Sequence, residues 1–400
     1  MACKDRDMST LWRIMVREWR RIVAQPLCWG CMIGAPLFGI LFFVTLLNEG
    51  LPEHIPTAVV DLDNSALSRS FVRQLQAQQA IDIALQCDTY IDAVQAMQRN
   101  EVYGFVLIPS RFEELLFDGK QPPLSFYTND AYLIPGSLLY ECYTTQSMLM
   151  SAAVIQDLLL SLGFSPQRIM SLLQPIAIDS HALGNPWVNY SIYLSNSFLP
   201  AMLQLMVLLV TMYAVASEFK KGSVRSWLLA ARGSFLMALT GKLLVYTLVF
   251  FVEGVLLQSM LYGYLHFPLH TSIWRMMCAM FLLVVASQSI VLIVLSLVSS
   301  HSIAFSAVSV LGVVSFSLGG FSFPVPDMYA PFKVLTNLLP VRHYFLIYVN
   351  NALNGYPLYY CRDAYMALLL FVVIALLMLP RMYRAVVCYE RNENVETFKS

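Results

Sequence analysis

Apolar residues run in blocks along this chain, and the blocks set its plan. A helix needs roughly 20 consecutive apolar residues to cross a hydrocarbon core. Six stretches approach that length: 27–47, 198–217, 243–265, 274–298, 303–323 and 364–379, the last extended slightly at its ends. About 150 residues separate the first from the second. The pattern predicts six transmembrane helices with one large insertion. Ahead of the first, Leu11, Trp12, Met15, Val16, Trp19, Ile22 and Val23 recur at three- and four-residue spacing, with Arg13, Arg17, Arg20 and Arg21 between them. That is an amphipathic helix suited to the membrane interface, with Trp12, Arg13, Arg17 and Trp19 as anchors. A helix packed on a partner protein would carry the same pattern.

The insertion alternates shorter periods. Thr57–Leu62, Ile81–Leu85, Gly104–Ile108 and Leu124–Tyr127 read as strands. Helical spacing follows Asp63-Asn64-Ser65, covers Ile91–Gln98, and runs from a cap at Ser110 to Phe117 with Gly119 as the stop. A long helical stretch covers Leu133–Leu162, and Gly163 and Pro166 separate it from a helix at Gln167–Leu173. Strands alternating with short helices imply a small α/β domain whose sheet order stays open.

Composition agrees with a membrane location. Of 400 residues 58% are hydrophobic and 12% charged, against about 45–50% and 25% in soluble domains. Such a chain is neither disordered nor a water-soluble monomer. Net charge is zero, with 25 basic and 25 acidic residues, so nothing favours nucleic acid as a partner. Of those basic residues 15 lie before the first span, between the second and third, and after the sixth. Those three segments fall on one side of a six-span plan, which the positive-inside rule makes cytoplasmic. Residues 49–197 hold six basic against fifteen acidic residues, a balance of −9. A cleaved signal peptide would also begin with basic residues. The run 27–47 is longer than its apolar core, however, and no small-x-small site precedes Asn48-Glu49-Gly50, so an uncleaved anchor is expected.

The expected plan is a cytoplasmic amphipathic helix (1–26), a first transmembrane helix (27–48), an external α/β domain (49–197), transmembrane helices 2–6 (198–380) and a cytoplasmic tail (381–400). The protein would be multi-pass with both termini inside.

Chemistry-bearing motifs are few. Gly241-Lys242 lacks the spacing of a phosphate loop, and neither a zinc-protease helix nor a Gly-x-Ser-x-Gly elbow occurs. The chain is therefore expected to be no enzyme and to carry no cofactor, its energy coming from another subunit or an ion gradient. Cys28 and Cys31 have redox-pair spacing without the strand–turn–helix setting, and two buried thiols are the plainer reading. A bridge between Cys87 and Cys142 is compatible with an oxidising compartment but not established by spacing. His266 and His270 have metal-compatible spacing with Pro268 between them, which disfavours a shared helical face, and no metal site is assigned. Glu253 falls in mid-span, where an unpaired carboxylate is costly. Either it takes part in passage of a substrate or proton, or it is a neutral or glutamine-paired structural group. Gln204, Gln258 and Gln288 could be its partners or line a path.

A resemblance adds to this reading. The segment Ser217-Glu218-Phe219-Lys220-Lys221-Gly222-Ser223-Val224-Arg225-Ser226-Trp227, followed by an apolar helix and Gly241-Lys242, resembles the signature loop of ABC-2 type permeases, the membrane subunits of ATP-binding-cassette exporters. Phe219-Lys220 departs from it, since many members carry a second acidic residue near Glu218. Gly319-Gly320-Phe321-Ser322-Phe323-Pro324-Val325-Pro326 with Leu339-Pro340 is similar to the family's re-entrant hairpin, placed here at 324–362 outside the membrane. Ala58-Val59-Val60-Asp61-Leu62-Asp63-Asn64-Ser65 and Tyr103-Gly104-Phe105-Val106-Leu107-Ile108-Pro109 look like the branch that works with a periplasmic adaptor and an outer-membrane channel. The resemblance implies a homo- or heterodimer of permeases in a bacterial inner membrane, exporting a small or amphipathic substrate. A cytoplasmic ATPase would dock on loop 218–241 through Glu218, Lys220, Lys221, Gly222, Arg225, Gly241 and Lys242. The competing reading is a membrane-anchored receptor or envelope scaffold that binds a ligand through its outer domain.

Overall fold

The computed structural model describes residues 2–47, 50–175, 181, 184–186, 188–298 and 300–397. It divides into two compact units, residues 49–181 and residues 1–48 with 182–400.

The 49–181 unit is a four-stranded sheet with helices. Strands β1 (Ile55–Asp61), β2 (Ile81–Gln86), β3 (Gly104–Ile108) and β4 (Ser125–Thr128) lie in the order β2-β1-β3-β4. β1 pairs in parallel with β2 and β3, while β4 pairs antiparallel with β3, Phe105 opposite Tyr127. Parallel pairs need a crossover, and helices Ala66–Gln76 and Tyr90–Gln98 supply two. Side chains alternate across the sheet. Ile55, Phe71, Leu75, Val106 and Leu139 form one apolar layer, and Ala58, Val60, Ala93, Ala96 and Phe105 the other. This is why the middle of β1 reads as an unbroken apolar run rather than an alternating one. Cys142 packs on the first layer and Cys87 on the second, so the two stay free thiols on opposite faces of the sheet.

One expected boundary moves. The helix expected from Ser110 begins at Phe112, and Arg111 before it is left-handed (φ 61°) and gives no cap. Its cap comes from the loop after β1. The Asp63 carboxylate accepts from the backbone N–H groups of Phe112 (2.9 Å) and Glu113 (3.1 Å). In return, the Glu113 carboxylate accepts from the N–H of Leu67 (3.4 Å) in the first turn of Ala66–Gln76. Burial raises the Asp63 pKa, but hydrogen bonds from Ser65 and the amides of Glu113, Phe112 and Arg111 outweigh it, leaving the pKa below its ordinary value. Asp63 therefore stabilises the fold above pH about 4, and that contribution is lost as pH falls through its lowered folded-state value. Asp63→Ala is expected to cost about 1 kcal/mol at neutral pH, the usual effect of a lost cap. Hydrogen exchange at Phe112 and Glu113 should accelerate in the variant at pH 7, with the difference from wild type shrinking in acid.

The other unit is helical. It opens with helix Ala2–Val23, then runs through Pro26–Trp29, a π turn at Gly30–Gly34 and helix Ala35–Leu46. Glycines bound the π turn and Pro36 follows it; proline offers no N–H and cannot continue a regular bonding ladder. The first expected span is thus an interrupted run, and its apolar part, Gly30–Leu46, is shorter than the others. Among the described residues five helices are long and apolar enough to cross a membrane: Tyr190–Lys220, Phe235–Tyr264, Ile273–Leu297, His301–Leu318 and Leu358–Arg384. Phe235–Tyr264 ends in a π turn from Ser259.

Burial separates these five. The apolar core of Tyr190–Lys220 is 67% buried, those of His301–Leu318 and Leu358–Arg384 only 22%. Between the last two the chain breaks into the short helices Ala330–Thr336 and Pro340–Ile347 and a π turn at Tyr348–Leu353. Gly320 has φ 88°, and a side chain there would collide with Arg342. Tyr193 donates to the Phe321 carbonyl, holding this irregular stretch against the bundle. Pro324 precedes the 3-10 turn Val325–Asp327, Pro326 lies within it, and Pro340 opens helix Pro340–Ile347.

Candidate functional site

Three segments far apart in sequence meet on one buried ammonium group. Lys242 has no exposed surface. Its Nζ donates to Glu18 Oε2 (2.7 Å), Glu218 Oε1 (2.8 Å) and the Ala214 carbonyl (3.4 Å), which uses all three of its protons. Nζ also stands 5.3 Å from the centre of the Trp227 ring, whose N–H donates to the Ala238 carbonyl (3.1 Å). Glu18 and Glu218 are as buried as the lysine. Arg17 reaches both carboxylates, 3.2 Å to Glu18 and 3.3 Å to Glu218, and Arg21 and Ser223 also donate to Glu218. Three cations face two anions, and the extra charge sits on arginines whose side chains are 28% and 17% exposed.

Local sequence explains how these groups arrive. Helix Tyr190–Lys220 ends in a glycine-centred motif. Gly222 (φ 59°) donates to the Phe219 carbonyl (3.2 Å), and the Ser223 N–H to the Glu218 carbonyl (2.9 Å). That turn swings Ser223 back over the Glu218 carboxylate. At Gly241 a Cβ would lie 2.9 Å from Ile14, so only glycine lets the N-terminal helix come near enough for Lys242 to reach Glu18. Ile14, Glu18 and Ile22 lie one turn apart on the face turned inward.

This geometry corrects two expectations. Glu218, Gly241 and Lys242 were expected on a docking surface, but they are interior and hold the loop in place, because desolvated charges must sit on one another. Arg17, expected as an interfacial anchor, points at Glu18 and Glu218 instead. Trp12 and Trp19 do face outward, 66% and 51% exposed, and Arg13 is exposed beside them. Lys220, Lys221 and Arg225 are exposed as well. The two lysines border an open groove of about 810 Å³ together with Tyr213, Ser217, His301 and Phe305.

The mid-span polar residues do not come together. Gln204 donates to Ser315 (2.9 Å) and accepts from the Val341 N–H (2.7 Å), tying Tyr190–Lys220 to two other helices. Gln258 donates to the Met276 carbonyl (2.8 Å), and Gln288 accepts from Thr247 (2.7 Å). Each glutamine pins a helix pair and none meets Glu253. Glu253 is 7% exposed, and neither carboxyl oxygen has a hydrogen-bond partner among the described residues. Around it stand Pro36, Ile40, Leu199, Met202, Leu203 and Leu257.

The sequence profile of the family described as ABC-2 family transporter protein matches residues 28–379, and comparison with curated proteins finds no match. The chain belongs to the ABC-2 transporter family. It is accordingly a membrane subunit of an ABC transporter and multi-pass, and its family implies an ABC ATPase as partner. In this ABC-2 chain the family-like loop and its Gly-Lys ending are two sides of one buried ion cluster. Glu18 and Ser223 were missed as members of that cluster. For Glu18 a signal existed, since a lone acidic residue stands between Ile14 and Ile22 at helical spacing.

Removing one member of a buried ion cluster strands the others and costs about 3–5 kcal/mol. Lys242→Met should therefore lower thermal stability in detergent sharply, and Glu18→Gln somewhat less. Combined, the two should lose less than the sum of their separate effects. Strict additivity in that double-mutant cycle would show that Glu18 and Lys242 do not act on each other.

Proposed function

We propose that this chain is the permease of an ATP-driven exporter, moving a small or amphipathic substrate out of the cytoplasm or inner membrane. In this reading the run 26–46 is the first of six transmembrane helices. Both termini and loop 218–241 lie in the cytoplasm, and the 49–181 unit lies in the periplasm. The protein sits in a bacterial inner membrane beside a second permease, identical or not. A periplasmic adaptor and outer-membrane channel continue the route. The chain itself performs no chemistry and holds no cofactor; ATP is hydrolysed on the separate ABC ATPase.

The observation that carries this reading is the buried cluster around Lys242. Lys220, Lys221 and Arg225 offer an exposed basic surface, while Glu218 in the same loop is bonded to the N-terminal helix and, through Lys242, to Phe235–Gln258. A force applied by an ATPase to the exposed residues reaches both helices through charge-assisted bonds rather than through a flexible loop. The Trp12 and Trp19 face rests in the lipid interface, so the same force moves a helix at the membrane surface. The poorly buried faces of His301–Leu318 and Leu358–Arg384 are available to lipid and to the second permease.

The intact chain, expressed with its genomic neighbours, should co-purify with a soluble ABC ATPase. Reversing Lys220, Lys221 and Arg225 to Glu should weaken that association about tenfold or more, about 1.4 kcal/mol, without changing the folded level of the permease. A chain that never recruits an ATPase is not an exporter subunit, and unchanged recruitment by the triple variant would move the docking surface elsewhere.

A further inference from the structure

We propose that Glu253 is the recognition carboxylate of a binding site for lipophilic organic cations, closed in this structure by the apolar helix segment 30–46. The proposal rests on the exporter reading above and deepens it by naming a substrate class.

Glu253 differs from the three mid-span glutamines of its helix bundle. The three mid-span glutamines are each bonded to a neighbouring helix, whereas both Glu253 oxygens lack a partner among the described residues. Among the described residues that line the space beside it, no other is titratable or charged. The helix segment on one side contributes Pro36 and Ile40, Tyr190–Lys220 contributes Leu199, Met202 and Leu203, and its own helix contributes Leu257. Ile273–Leu297 approaches at the next residue, Gly254, through Met280. A carboxyl group in such surroundings is tolerated as the neutral acid or opposite a cation. Ca2+ or Mg2+, which takes six or more oxygen ligands, does not match lining side chains that supply the two oxygens of one carboxylate. An organic cation with its charge spread over apolar bulk matches both the one carboxylate and the six apolar neighbours.

The walls suggest how it is admitted. The space beside Glu253 is about 10 Å³, room for about one water molecule, so a ligand needs one wall to move. Backbone irregularities border it on two sides, the π turn Gly30–Gly34 with Pro36 and the mid-helix Pro200 next to Leu199. Kinks and π turns mark helix segments whose hydrogen bonding is already interrupted. Among the described residues the side-chain hydrogen bonds of 30–46 stay within the run 26–47: the Cys28 thiol meets Met32, and the Thr45 hydroxyl bonds only the carbonyls of Leu41 and Phe42. Its far side exposes Leu37, Phe38 and Leu41. This wall can part from its neighbours without breaking a polar bond. On binding, the carboxyl O–H releases its proton to water, and the carboxylate pairs with the incoming cation; no bond to the ligand forms.

The test uses the full-length chain in nanodiscs and tetraphenylphosphonium, which has no proton of its own to lose. Equilibrium dialysis should show saturable binding that tightens as pH rises from 6 to 8.5, and weakly buffered solutions should record up to one proton released per cation bound. Glu253→Gln should weaken binding at pH 8 about tenfold or more and abolish the proton release, while Glu253→Asp keeps both. Absence of saturable binding, binding without proton release, or unchanged affinity in the Gln variant would overturn the proposal. If the Gln variant does not fold, the proton count of the wild-type protein decides alone. A chain that recruits an ATPase but fails here keeps the exporter reading and loses the cation site. One that binds the cation with proton release but recruits no ATPase keeps the site and loses the exporter.

Discussion

A lysine ammonium without solvent must be surrounded by acceptors, and in this protein that requirement joins elements separated by some two hundred residues of chain. Lys242 and Glu18 lie 224 positions apart, and Arg17 and Glu218 lie 201 apart. Each removes a desolvation cost that the other would otherwise bear. The details nearby follow from it. Gly241 is small so that the N-terminal helix can come close, Gly222 is left-handed so that Ser223 can turn back, and Trp227 closes the remaining side. The N-terminal helix consequently has two working faces, one charged and turned inward, one aromatic and turned outward.

How much of this was legible in the sequence depends on the range of the interaction. Strands and helices of the 49–181 unit appear within a residue or two of where alternation and helical spacing put them, because each is decided by neighbours a few positions away. The long apolar helices are equally plain, since bilayer-length runs such as Tyr190–Lys220 have few other uses. The first run was legible as apolar but not as interrupted, although Gly30, Gly34 and Pro36 were all in view. Counting apolar residues does not register the loss of an N–H donor.

The site was legible by position and not by role. Glu218, Gly241 and Lys242 stood out in the sequence, yet a charged loop beside a membrane reads as a surface until the residue that buries it is known. That residue, Glu18, sits among arginines 224 positions before Lys242. Glu253 was the opposite case. Its cost in an apolar helix was evident from the sequence, and the structure adds that none of the glutamines on hand relieves it.

The exchange of caps between Asp63 and Glu113 ties a helix of the 49–181 unit to its strand pairing. Helix Phe112–Phe117 has six residues, well below the length at which a helix holds in water by its own bonding. Its first amides are satisfied by a side chain 49 residues earlier, in the loop after β1. The native register of β3 beside β1 brings Phe112 to Asp63, and a slip of one residue in that pairing would leave the helix's first turn uncapped. A short helix in this position adds a cap that only the native strand register supplies.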